Sequence, residues 1–195
     1  MRIVLASSSQ SRAALLAAAG VAVEVIPSDL DEDAVKAQFK TAPPEELALT
    51  LAEKKAVAIS TLRPKDLVIG GDQILWFENS LISKCADLEE ARSLLLRLRG
   101  KVHELIGGLA IAMKGQIVWR HASRVRMTFR SFSTEFLDQY LAEEGPQVLA
   151  SVGAYRLEGR GAQLVERFEG SYFSVLGLDL LPLLAALRAR SALPT

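Results

Sequence analysis

Three places in this sequence put reactive side chains where ordinary packing does not call for them. Leu47, Leu51, Ala52, Ala58, Ile59 and Leu62 fall on one helical face at about 100° per residue, and Lys55 lies in the middle of it. Glu53 and Lys54 fall away from that face. Such a lysine either snorkels past the edge of the core or aims its ammonium into a cleft where an anion offsets the cost of desolvation. Asp72 follows a buried apolar run and two glycines. It is either a turn-capping residue or a carboxylate at a strand end, beside backbone that can approach a ligand closely. Ser7, Ser8 and Ser9 precede a helix that carries Arg12 in its first turn. Serines there are ordinary N-caps, but a cation in the first turn opposes the helix dipole unless an anion sits between them.

Elements that alternate along the chain must hold these groups. Residues 2–6 read as a buried strand and 11–19 as a helix, with Gly20 suited to a left-handed C-terminal position. The run 21–26 reads as a strand leading into an acidic loop with Asp31, Glu32 and Asp33. Pro43 and Pro44 open a long helix ending near 62. A short strand at 67–69, hairpin arms at 74–77 and 81–82, and a helix from Asp87 to Gly100 follow. Residues 102–113 and 116–130 read as a long hairpin about Lys114 and Gly115. Ser133 can cap a helix to Glu144, and a strand at 162–168 and a helix entered near Pro182 complete the chain. This interleaving predicts an α/β domain with a mixed sheet.

Composition narrows the function. The 195 residues suit one domain, or two lobes sharing a core, over the whole of 1–195. Lys plus Arg and Asp plus Glu are equal at 23 each, which lacks the basic excess of a nucleic-acid binder. One cysteine, Cys85, excludes an internal disulfide framework and fits a reducing, cytoplasmic setting. No uncharged stretch exceeds eleven residues, too few to cross a membrane. The phosphate loop of P-loop enzymes, the H-E-x-x-H motif and paired-cysteine metal signatures are missing. His103 and His121 are isolated and read as core or solvated histidines.

Taken together, the segments resemble the Maf family nearly end to end. Leu5-Ala6-Ser7-Ser8-Ser9-Gln10-Ser11-Arg12 with Leu15-Leu16 resembles the family's opening signature, with Gln10 in place of its proline. Asp31-Glu32, Leu51-Ala52-x-x-Lys55-Ala56 and Ile69-Gly70-Gly71-Asp72-Gln73 resemble its next three motifs. Lys84 falls where the family has G-K-P, although Ser83 and Cys85 flank it here. Arg99-Gly100-x-x-His103, Gly153-Ala154-Tyr155 through Gly161, and 169–178 resemble its later blocks.

The resemblance implies a curved mixed sheet in two lobes around a central cleft, similar to inosine-triphosphate pyrophosphatases. It also implies hydrolysis of a nucleoside triphosphate between the α and β phosphates, with Mg²⁺ or Mn²⁺. Arg12, Lys55 and Lys84 would surround the triphosphate, Ser7 and Ser9 would donate to its oxygens, and Glu32 and Asp72 would hold the cation. Asp72 would also serve as base. Members differ at positions matching Ser11, Gln73 and Glu158, and Gln73 with Glu158 resembles the 7-methyl-GTP pyrophosphatase branch. A guanine edge presents N–H donors to a carboxylate, and N7 methylation adds a positive charge; a uracil or thymine edge would repel it. The alternatives are a dTTP/UTP pyrophosphatase and a nucleotide-binding regulator of septum formation with little turnover. A homodimer is common in similar proteins.

Overall fold

Parallel strands need a crossover connection between them, and the first two pairings of the sheet, made through one helix and through the two that follow it, obey this rule. In a computed structural model, which describes residues 2–39 and 42–194, β1 (Ile3–Ala6) leads to α1 (Gln10–Ala18), β2 (Glu24–Val25), α2 (Glu32–Gln38) and α3 (Pro44–Leu62). Then come β3 (Leu67–Phe77), β4 (Ser80–Ile82), α4 (Leu88–Leu98), β5 (Val102–Met113), β6 (Gln116–Phe129) and α5 (Thr134–Glu144). Two 3-10 turns (Gly145–Ala150 and Arg160–Leu164), β7 (Val165–Glu169), α6 (Tyr172–Val175) and α7 (Leu180–Arg188) complete the chain. The seven-stranded mixed sheet runs β2-β1-β3-β5-β6-β7, with β4 paired to β3. β1 is parallel to β2 and to β3, in the register Ala6 to Gly70, whereas β4 and β7 join antiparallel. The expected α/β class with a mixed sheet is what the chain adopts. Among the described residues no helix is long and apolar enough to cross a membrane.

The chain divides into two compact units, one comprising Met1–Gln73, Ile106–Ser123 and Gly177–Thr195, the other Ile74–Leu105 and Arg124–Leu176. In the first, α3 lies directly on the sheet because glycines make room for it. A Cβ at Gly70 would stand 2.1 Å from the Ala52 carbonyl oxygen, and one at Gly108 would stand 2.2 Å from that of Ala48. Ala52, Ala56, Ala110 and Ala112 fill the contact with small side chains. At its C-terminal end α3 is tied down by Arg63, which bonds Asp66 at 2.7 Å and both oxygens of Glu24 at 2.8 and 3.0 Å.

The second unit packs α4 and α5 around Leu75, Phe77, Val125, Met127 and Phe129. His103 is buried in this core, edge-on to Phe129, with Nε2 2.8 Å from the Tyr155 hydroxyl. Tyr140 donates to the Ala154 carbonyl at 3.2 Å, which fixes the same segment from the other side. Gly159 N–H bonds the Arg156 carbonyl at 3.2 Å, so Glu158 is displayed on a tight, exposed turn.

Several boundaries differ from the sequence reading, for identifiable reasons. The strand at 67–69 and the arm at 74–77 are one continuous strand, because Gly70 and Gly71 serve close packing and not a turn. The acidic loop instead begins a helix, with Asp31 accepting from the Ala34 N–H at 3.0 Å and Glu32 and Asp33 in its first turn. The strand read at 21–26 is only Glu24–Val25. Within 162–168, the first residues form a 3-10 turn before β7. Ala58 and Leu62 do not share the buried face of α3, and Leu62 is 75% exposed.

Two stability experiments follow. Gly108→Ala forces a side chain onto helix backbone and should cost about 3 kcal/mol, seen as a drop of about 6–12 °C in Tm. Gly159→Ala, whose nearest neighbour is at 3.9 Å, should leave Tm nearly unchanged. The second experiment concerns His103. Unfolded, an imidazole protonates near pH 6.5, whereas burial lowers His103 to about 3. Between those values the unfolded chain holds more protons, so the stability from the neutral imidazole is whole above about pH 6.5 and is lost as pH falls toward 3. Urea titrations of the wild type should show a slope of up to about 1.4 kcal/mol per pH unit in this window, and His103→Gln should reduce it.

Candidate active site

Alternation along β3 sends successive side chains to opposite faces of the sheet, and the segment 70–73 uses both. Gly70 faces α3, and so does Asp72, whose Oδ1 lies 2.6 Å from the Lys55 Nζ. Lys55 comes from the inner stripe of α3, one turn beyond Ala52, which explains how a lysine at the centre of an apolar face reaches a carboxylate. Glu32, in the first turn of α2, brings its Oε1 to 2.6 Å from the same Nζ. The ammonium therefore sits between two carboxylates. The Lys55 and Asp72 side chains are each only 9% exposed, and Glu32 is 39% exposed. Taking an ammonium out of water costs several kcal/mol, which two close carboxylates offset. The structure directs the Lys55 ammonium onto two carboxylates of the chain itself.

On the other face, Gly71 and Gly177 clear space for Arg12. A Cβ at Gly71 would stand 3.4 Å from the Arg12 Nε, and one at Gly177 would stand 3.7 Å from it. The Arg12 Nε donates to the Gly177 carbonyl at 2.8 Å and Nη1 to the Ser7 Oγ at 2.9 Å. Burial lowers the guanidinium pKa from its ordinary value, while the charges of Asp72 and Glu32 pull it back up. Arg12 is thus a fixed cation, oriented by backbone and within electrostatic range of both acids.

The serine turn completes this side. The Ser7 Oγ also accepts the Ser9 N–H at 3.2 Å, and the Ser9 Oγ caps α1 by accepting the Arg12 N–H at 3.4 Å. Each hydroxyl oxygen accepts from the chain, which leaves its hydrogen available to an incoming oxygen. Ser11 is half-buried in the first turn of α1. The Gln73 Oε1 lies 3.8 Å from where a Gly177 Cβ would stand.

Eight of the ten residues singled out from the sequence, namely Ser7, Ser9, Ser11, Arg12, Glu32, Lys55, Asp72 and Gln73, belong to the first unit. Lys84 and Glu158 are exposed members of the second. Sequence reasoning missed the Gly177 carbonyl as the acceptor that aims Arg12. The available signal was a glycine between apolar residues in Val175-Leu176-Gly177-Leu178, and its φ of +95° is one that favours glycine. It also missed the buried contact of His103 with Tyr155. His121 is partnered as well, by Asp179 at 2.8 Å.

Carboxylates of Glu32 and Asp72 converging on one point form a hard, oxygen-only donor set. This suits Mg²⁺ or Mn²⁺, which commonly take one or two carboxylates and fill their remaining positions with water and phosphate oxygens. Among the described residues no group of three or more His, Cys, Asp or Glu could hold a metal ion unaided. The residues fit a cation that arrives with oxygen ligands of its own.

A family model described as Maf-like protein matches residues 2–190. A nucleoside triphosphate pyrophosphatase of Granulibacter bethesdensis is 46% identical over 195 residues, covering 99% of both chains. A 7-methyl-GTP pyrophosphatase of Mesorhizobium japonicum is 45% identical over 194 residues, covering 98% of both. A solved nucleoside-triphosphatase, a dITP/XTP pyrophosphatase from Mycobacterium abscessus, aligns with a TM-score of 0.40 at 16% identity over 76% of this chain and all of its own, too distant to bear on the site. With the family model spanning nearly the whole sequence and relatives this similar from end to end, the chain belongs to the Maf family.

Proposed function

We propose that this chain is a hydrolase that cuts nucleoside triphosphates between the α and β phosphates, releasing the monophosphate and pyrophosphate, and that 7-methyl-GTP is its preferred substrate. The observation that carries the reading is the meeting of Lys55, Glu32 and Asp72, with both nitrogen–oxygen distances at 2.6 Å. A buried cation held by two acids, with a second fixed cation in range, suits a polyanion that brings its own metal ion.

Attack by water on one phosphorus forms a P–O bond as the bridging P–O bond breaks, and the electron pair leaves with pyrophosphate. Asp72 accepts the proton of the attacking water. Arg12 and Lys55 offset charge growing on the leaving group, and one such contact is worth roughly 3–4 kcal/mol of barrier. The Ser7 and Ser9 hydroxyls donate to phosphate oxygens. Glu32 and Asp72 would hold a divalent cation, which would supply charge neutralisation and polarise the phosphoryl oxygens.

Base preference rests on Glu158, Gln73 and Ser11. The Glu158 turn is exposed while the chain just before it is tied down, by Tyr155 to His103 and by Arg156 to Glu144 at 3.1 Å. A carboxylate displayed this way pairs with the N–H edge of guanine and with the positive charge of its methylated ring, at about 1.5–3 kcal/mol per charged hydrogen bond. Relatives of nearly equal identity carry either the general or the 7-methyl-GTP name, in keeping with this preference. The substrate class and the lone Cys85 suit the cytoplasm.

Pyrophosphate release measured over 7-methyl-GTP, GTP, UTP and dTTP with Mg²⁺ or Mn²⁺ tests both parts. Turnover should be fastest on 7-methyl-GTP, and absence of release from every triphosphate would overturn the activity. Asp72→Asn should lower kcat by about 10²–10⁴-fold. Glu158→Gln should raise KM for 7-methyl-GTP by about tenfold or more and spare UTP; equal loss on all substrates would remove Glu158 from base reading.

A further inference from the structure

The ammonium of Lys55 occupies the point on which the two proposed metal-binding carboxylates converge, 2.6 Å from Glu32 Oε1 and 2.6 Å from Asp72 Oδ1. Mg²⁺ bonds oxygen at about 2.0–2.1 Å, so a metal ion held by both oxygens needs the space the Nζ fills. The two cations also repel strongly there, because the Lys55 and Asp72 side chains are each only 9% exposed and little water screens them. The cluster is already neutral: Arg12, Lys55 and Lys36 carry three positive charges, and Glu32, Asp72 and Asp33 carry three negative ones. A bare divalent cation would leave it at +2. A triphosphate supplies oxygens toward which the ammonium can swing on its flexible stem, while Arg12, bonded to the Gly177 carbonyl and Ser7, stays in place.

We propose that Lys55 is a placeholder cation: its ammonium holds Glu32 and Asp72 together until a metal–nucleotide complex arrives, so the chain takes up the divalent ion with a triphosphate and scarcely alone. This rests on the reading of Glu32 and Asp72 as metal ligands. By linkage, whatever draws the ammonium away from the carboxylates raises metal affinity, and metal at the carboxylates raises affinity for the anion that receives the ammonium.

The test is Mn²⁺ binding to the full chain without nucleotide, followed by the loss of the free-ion EPR signal. Wild type should bind Mn²⁺ weakly, and Lys55→Met should bind it at least about tenfold more tightly. Lys55→Gln, which keeps polar contact with both carboxylates without the charge, gives the same comparison if the methionine variant does not fold. Mn²⁺ alone should raise the Tm of either variant more than that of wild type. Equal Mn²⁺ affinity of wild type and a folded variant overturns the placeholder role, and normal triphosphate turnover by the same wild-type preparation would confine that failure to this inference. Adding Asp72→Asn to Lys55→Gln should abolish the gain. A gain that survives it would place the ion elsewhere and overturn the metal-ligand reading as well.

Discussion

One buried ammonium governs the architecture of the first unit. Lys55 can leave water only where acids receive it, and Asp72 and Glu32 reach it from β3 and α2. For α3 to bring its inner stripe that near, the residues beneath must be small. Gly70 and Gly108 therefore face the carbonyls of Ala52 and Ala48, and alanines fill the rest. Arg63, holding Glu24 and Asp66, keeps the far end of the helix from lifting. Packing and electrostatics are one constraint here, because the interval that suits an alanine-on-glycine contact is also the one that lets a lysine touch a strand carboxylate.

The two cations of this unit are held in different ways. Arg12 is fixed through Nε and Nη1 to a carbonyl and a hydroxyl, in clearances made by two glycines. A planar guanidinium gripped on two nitrogens is a stationary charge. Among the described residues Lys55 is held by its anions, at the end of a flexible side chain. A site that must exchange one anionic partner for another can use one charge of each kind, the first to set a fixed orientation and the second to move.

Much of this was legible in the sequence, and what was not follows from the physics of packing. Lys55 declared itself because helical periodicity is a strong signal over nineteen residues, although the exposed Ala58 and Leu62 show that the apolar stripe is narrower than its composition suggests. Gly70 and Gly71 misled, because glycine permits both a turn and a close approach, and only the unseen partner decides between them. Glu32 was found by its motif, but its helix was not: Asp31-Glu32-Asp33 reads equally as a polar loop or as a cap and first turn. The mutual pairing of Lys55 with both acids, and the carbonyl that aims Arg12, are contacts across long stretches of chain that no local pattern records.

The bond between Arg12 and the carbonyl of Gly177 joins residues 165 positions apart. During synthesis, α2, α3 and β3 emerge early and can assemble Lys55 with its acids while the segment carrying Gly177 is still to be made. Arg12 gains its backbone acceptor only when translation has passed the final turn before α7. A nascent or C-terminally shortened polypeptide thus carries the lysine and both carboxylates but leaves its arginine unaimed. Competence for the polyphosphate is delayed until Gly177 has emerged and packed.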